Sequence, residues 1–69
     1  MTLTITIEMD NEAFGESGMD RAQEVFRVLN DLTGRLYPET FEDGADSYDR
    51  NGKLRDINGN TVGEWRVSE

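Results

Sequence analysis

Hydrophobic and polar residues alternate over residues 2–9 of the chain. Four apolar residues occupy every second position there: Leu3, Ile5, Ile7 and Met9. The intervening positions hold threonine or glutamate. A two-residue period with β-branched side chains is typical of a strand that buries one face. The pattern therefore predicts a strand over residues 2–9.

The apolar spacing changes to three and four residues in the next part of the chain. Six apolar residues then form one stripe of an amphipathic helix: Ala22, Val25, Phe26, Leu29, Leu32 and Leu36. Charged residues are expected on the opposite side: Arg21, Glu24, Arg27 and Asp31. Ser17 is a predicted N-cap with Asp20 at the third helical position. Gly34 and Pro38 end the pattern, which predicts a helix over residues 18–35.

Residues 53–67 indicate a β-hairpin. Asn58 and Gly59 suit its turn, with Gly59 in the left-handed conformation. This register places Leu54 opposite Val62 but directs Trp65 to the other face. A β-bulge near Gly63 would reconcile the two.

The predicted element order is β-α-β-β, in a single α+β domain covering residues 1–69. Short connections favour a three-stranded antiparallel sheet in the order 1-3-2, with the helix on one face. The other face is predicted to meet either solvent or a second copy of the chain. Phe14, in the first connector, is expected to fold back onto one end of the core.

Composition excludes much of catalytic chemistry. The chain has 15 acidic and 7 basic residues, a net charge of −8, and neither histidine nor cysteine. Disulfides, Cys-type zinc sites and Ser–His or Cys–His nucleophiles are therefore excluded. We expect no enzyme activity and no cofactor. The few bases argue against direct nucleic-acid binding, and the lack of a long apolar run argues for a cytoplasmic protein rather than a membrane protein.

The Asp-, Asn- and Gly-rich segments do not match a calcium-binding EF-hand. With Gly52 at the sixth position of such a loop, Asn58 stands where glutamate is required. With Gly59 at the sixth position, Trp65 stands there. We predict no metal site of this type, although a weak site of another type stays open. Acid–base catalysis by paired carboxylates is disfavoured because an exposed loop offers no pocket.

The negative charge is concentrated in two segments. Residues 1–20 hold five acids and no base, and Asp10 and Glu12 are candidate partner-binding residues there. The predicted loop at residues 37–52 holds the leading candidates: Glu39, Glu42, Asp43, Asp46 and Asp49. Such a row of carboxylates can imitate the phosphates of a nucleic acid. The simpler interpretation is a solvated surface that keeps a small protein soluble.

Trp65 is the remaining candidate contact residue. Tryptophan is enriched among the residues that dominate protein interfaces. A single tryptophan on a hairpin is more often a core side chain, and this interpretation is favoured.

Three stretches carry a resemblance to known proteins. They read Thr-Ile-Thr-Ile-Glu-Met-Asp-Asn-Glu-Ala-Phe at residues 4–14, Arg-Val-Leu-Asn-Asp-Leu at 27–32 and Leu-Arg-Asp-Ile-Asn-Gly-Asn-Thr-Val-Gly at 54–63. The chain resembles small acidic uncharacterised proteins of bacteriophages, prophages and other mobile elements. By class it is also similar to phage inhibitors of bacterial defence, including anti-CRISPR proteins and DNA mimics, and this implies a cofactor-free binding protein.

Two functional hypotheses follow. The first is a phage protein that blocks a basic nucleic-acid-binding host protein through its acidic segments. The second is a structural or accessory phage protein that self-associates, as a homodimer or larger assembly, along the edge of the strand that carries Thr2, Thr4 and Thr6.

Overall fold

The computed structural model describes residues 1–42 and 50–68 of the chain. The helix and strands are β1 (Thr2–Ile7), α1 (Gly18–Thr33), β2 (Asn51–Arg55) and β3 (Thr61–Ser68). Two 3₁₀ turns, Glu12–Phe14 and Pro38–Phe41, lie in the connectors and were not predicted. The strands form one antiparallel sheet in the order β1-β3-β2, and α1 contacts this sheet. The predicted α+β class, element order and topology are confirmed.

The element boundaries differ from the predicted ones by a few residues. β1 ends at Ile7, one residue before Glu8, whose N–H still donates to the Val62 carbonyl oxygen; the 3₁₀ turn that Asn11 caps follows. α1 ends at Thr33, and Gly34 forms its C-cap. The Ser17 cap is confirmed, since its hydroxyl oxygen accepts from the Asp20 N–H over 3.0 Å.

The predicted β-bulge lies between β2 and β3. Leu54 faces Gly63 and Arg55 faces Thr61, so Val62 is the additional residue. This bulge lets Val62 and Trp65 both reach the core, which resolves the conflict in the sequence pattern. Gly63 also faces β1, where a Cβ atom would overlap the Thr6 carbonyl oxygen. The close approach of β1 and β3 therefore requires glycine at this position.

The core lies between the helix and the sheet. It contains Phe14, Val28, Leu32, Leu54, Val62 and Trp65. Phe14 is fully buried, as predicted for a residue that folds back from the connector.

The buried stripe of α1 differs from the predicted one. Glu24, Val28 and Leu32 are buried, whereas Ala22 is exposed and Phe26 is 71% exposed. The predictions that Ala22 and Phe26 face the core, and that Glu24 faces solvent, are wrong. In this rotation Val28 and Leu32 fill the core, while Glu24 and Arg27 of α1, with Arg35 just after it, bond to β2 and to the following turn.

On the sheet face that α1 packs against, the helix leaves the β1 part uncovered. Its main contacts are with β2 and the Glu12–Phe14 turn, rather than with β1. Leu3 is 38% and Ile5 39% exposed, although both point to the same sheet face as Trp65 and Val67. The apolar side of β1 therefore remains accessible.

Candidate interaction surfaces

The acidic residues of the first acidic segment, residues 1–20, lie at one end of the domain, which we call the turn end. It is formed by the residues after β1, the start of α1 and the β2–β3 turn at residues 56–60. Five exposed carboxylates lie there: Glu8, Asp10, Glu12, Glu16 and Asp20. None of them forms an ion pair with a residue of the described ranges. Three exposed apolar side chains, Met9, Met19 and Ile57, belong to the same end.

Asp56 organises the turn itself. One carboxylate oxygen accepts from the N–H groups of Asn58 and Asn60 over 2.9 and 2.8 Å. The other accepts from the side-chain amide of Asn11 over 2.7 Å, which ties the turn to the first connector. Burial by itself would raise the pKa of Asp56, but the hydrogen bonds from Asn60, Asn11 and Asn58 outweigh it and hold the pKa below its usual value of 3.8. Asp56 is thus a structural carboxylate.

Glu24 joins the helix to the same turn. Its two carboxylate oxygens accept from Arg27 Nε over 2.5 Å and from the Ile57 N–H over 3.0 Å. Sequence reasoning missed the roles of Glu24 and Asp56. The succession Asp56-Ile57-Asn58-Gly59-Asn60 carried a signal for Asp56, because aspartate side chains often bond backbone N–H groups two residues ahead.

The described part of the second acidic segment, residues 37–42 and 50–52, follows the C-terminal end of α1 and leads into β2, so it lies at the end of the domain opposite the turn end. Thr40 is buried, and its carbonyl oxygen accepts from Arg50 Nε over 3.1 Å. Arg50 Nη2 also donates to the carbonyl oxygen of Glu42 over 3.4 Å. Glu39 is half-buried and Glu42 is exposed. The candidate residues Asp43, Asp46 and Asp49 lie outside the described residues.

Trp65 belongs to the core. Only 3% of its surface is exposed, which confirms the core interpretation, and an interface anchor needs an accessible side chain. Its indole lies over Gly52 on β2, where a Cβ atom would come within 2.5 Å of Trp65 Nε1. The indole N–H finds no hydrogen-bond acceptor among the residues described here.

Two acceptors on the outer edge of β2 are occupied by arginine side chains. Val67 N–H donates to the Arg50 carbonyl oxygen, so Arg50, Gly52 and Leu54 direct their backbone groups toward β3. The residues that follow Gly52 and Leu54, which are Lys53 and Arg55, direct theirs to the outside. The Lys53 carbonyl oxygen accepts from Arg35 Nη1 and the Arg55 carbonyl oxygen from Arg27 Nη2, each over 2.9 Å. Arg27 of α1 and Arg35, just after the helix, thus occupy acceptors that another strand would need.

The outer edge of β1 has no such cover. Glu8 N–H donates to the Val62 carbonyl oxygen, so even-numbered residues of β1 bond to β3. Leu3, Ile5 and Ile7 direct their backbone N–H and C=O groups outward, and no described residue bonds to them. Within the described residues the two edges therefore differ: two outward carbonyl groups of β2 accept from arginines, whereas the outward groups of β1 have no such contact.

Within residues 1–42 and 50–68, no three carboxylates lie close enough together to hold a metal ion. No helix in this part of the chain is both long and apolar enough to cross a bilayer. In the described residues, the fold is a small α+β domain with an accessible sheet edge at β1 and unpaired carboxylates at the turn end. Comparison of the chain with protein-family models, curated proteins and solved structures finds no match.

Proposed function

We propose that this protein is a non-catalytic acidic binding protein that inhibits a basic, nucleic-acid-handling protein of a bacterial host. The observation that carries the proposal is the turn end, where five carboxylates are exposed without an ion pair in the described part of the chain. Groups left unpaired in this way are free to meet a basic surface.

Electrostatics indicates the kind of partner. A nucleic-acid-binding protein presents clustered Lys and Arg side chains spaced to meet phosphates. Carboxylates on one end of a small domain match that charge and speed the encounter. The exposed side chains of Met9 and Ile57 supply apolar area among these charges, and stable interfaces combine an apolar centre with a polar rim.

The chemistry of the buried carboxylates supports binding rather than catalysis. Asp56 and Glu24 use their oxygens for hydrogen bonds that hold the turn and the helix together. The lowered pKa of Asp56 keeps it ionised at neutral pH, which does not suit a general acid. The sequence holds no histidine or cysteine to take that role.

The biological setting rests on the sequence resemblance described above. Small acidic proteins of phages and mobile elements act inside the bacterial cell, so the proposed location is the host cytoplasm. An inhibitor of a defence protein, acting like an anti-CRISPR protein or a DNA mimic, is the form of the proposal that this resemblance supports.

A capture experiment from bacterial lysate tests the proposal. The tagged protein is compared with an Asp10→Asn/Glu12→Gln variant and with a matched control, Asp31→Asn/Glu64→Gln, which loses the same charge elsewhere. The expected result is a basic nucleic-acid-binding protein that the parent and the control retain and the turn-end variant loses. Retention should also fall as salt is added, because salt screens exposed charges.

A third variant tests the other acidic segment, with amides at Glu39, Glu42, Asp43, Asp46 and Asp49. Loss of the partner in this variant alone would move the interface to the opposite end of the domain. The proposal is overturned if every variant retains the same partner, or if retention does not depend on salt.

A further inference from the structure

We propose that β1 pairs antiparallel with β1 of a second copy, about a twofold axis at Ile5. The two three-stranded sheets then form one continuous six-stranded sheet. This inference does not depend on the basic partner proposed above, because it rests on the open sheet edge rather than on the acidic end.

The backbone of β1 favours the register with the axis at Ile5 over the registers shifted by one residue. Leu3, Ile5 and Ile7 carry the outward N–H and C=O groups. With the axis at Ile5, Leu3 faces Ile7 of the second copy and Ile5 faces itself, so all three residues are paired. Each facing pair exchanges two hydrogen bonds. Moving the axis to Thr4 or Thr6 leaves one of these residues without a partner inside β1.

The side chains agree with this register. On the helix side of the sheet, Leu3 and Ile5 would meet only Ile7 and Ile5 of the second copy. Both residues are more than a third exposed in the single chain, so pairing buries apolar surface that α1 leaves open. On the other side Thr4 would face Thr6 of the second copy, and such threonine pairs are favourable across strands.

Charge favours β1 as the place where two such acidic chains can meet. The net charge of −8 makes two copies repel each other. β1 contains no charged residue, and in the proposed register Glu8 faces Thr2 of the second copy rather than another acid. Added salt should therefore strengthen the pairing, the opposite of its expected effect on binding to a basic partner.

The other edge limits the assembly to two copies. Arg27 and Arg35 occupy the outward carbonyl oxygens of Arg55 and Lys53 on β2. A sheet that grows only at β1 closes as a dimer, since the twofold axis uses the same edge of both chains. An assembly that stops at the dimer is thus expected.

Sedimentation equilibrium and amide hydrogen exchange test the pairing together. The expected mass is twice that of the 7.8 kDa chain, with association that tightens in salt. In the dimer the amides of Leu3, Ile5 and Ile7 should exchange slowly, and they should become fast when dilution separates the copies. The even-numbered amides of β1 should be protected in both states, because they bond to β3.

Two double substitutions test the register. Thr4→Glu/Thr6→Glu opposes like charges across the axis and should weaken association roughly tenfold. Thr4→Glu/Thr6→Lys opposes unlike charges and should associate at least as tightly as the parent. Within each chain the second variant also places its charges opposite Arg66 and Glu64. Gln23→Glu/Asn30→Glu adds the same charge as the first variant at exposed helix positions and serves as its control.

Three results would overturn the proposal. One is a monomer at every concentration and salt level. A second is a dimer in which the Leu3, Ile5 and Ile7 amides still exchange fast, since its interface would lie elsewhere. The third is equal association by both Thr4/Thr6 double variants. A monomer that still captures a basic partner would leave the proposed inhibitor function intact.

Discussion

The guanidinium group of Arg35 donates to the carbonyl oxygen of Lys53 over 2.9 Å and so ties the segment just after α1 to the outer edge of β2. Asp31 holds the same guanidinium from the preceding turn of the helix, over 2.6 Å. Free strand edges are sites of unwanted pairing, and proteins commonly cover or charge them. This contact therefore gives the helix a second role besides covering the core, and it explains how the two edges come to differ.

Removing the arginine contacts should open the second edge. In an Arg27→Gln/Arg35→Gln variant, the Lys53 and Arg55 carbonyl oxygens become available to another strand. We expect species larger than a dimer in sedimentation velocity, with their fraction rising with concentration. Arg21→Gln is the control, since Arg21 lies on the same helix and is exposed. Unchanged sedimentation of the double variant would show that the arginines do not protect this edge.

Two glycines should respond oppositely to alanine. Gly52→Ala places a Cβ atom 2.5 Å from Trp65 Nε1 and should destabilise the fold by about 1–3 kcal/mol through overpacking. Gly18→Ala meets nothing within 4 Å in the first turn of α1 and should stabilise it by about 0.5–1 kcal/mol. Urea unfolding followed by the fluorescence of the single tryptophan measures both. Equal effects of the two substitutions would contradict the packing of Trp65 over Gly52.

The buried carboxylate of Glu24 should matter more than an exposed one. Glu24→Ala leaves the Ile57 N–H and Arg27 Nε without their acceptor. We expect it to lower the free energy of unfolding by about 1–3 kcal/mol. Asp31→Ala breaks the exposed pair with Arg35 and should lose less than about 1 kcal/mol. The same urea experiment compares them. A loss at Asp31 as large as the loss at Glu24 would argue against the link between helix and turn.

Asp56 should make stability fall in acid. Because its pKa is lower in the folded chain than the usual 3.8, the unfolded chain binds the proton more readily. The stabilisation is therefore present above pH 3.8 and is lost as the pH falls through the folded value. Asp56→Asn should be less stable at neutral pH and lose less stability on acidification. Thermal unfolding across the acid range measures this against a Glu64→Gln control, and parallel pH profiles of Asp56→Asn and the parent would contradict it.

Local patterns in the sequence determined most of the fold. The alternation before Asp10, the helical period after Ser17 and the turn at Gly59 depend on neighbouring residues, so they can be recognised without the rest of the chain. Even the bulge was foreseeable, because Val62 and Trp65 both need burial and a regular strand cannot supply it.

Only the tertiary structure decided the rotation of the helix and the difference between the sheet edges. Phe26 looks like a core residue by its spacing, but the bonds from Arg27, Arg35 and Glu24 to β2 and its turn direct it to solvent. These bonds join residues 18 to 33 positions apart, and no local period encodes them. Which edge stays open is thus a property of side chains that meet only after folding.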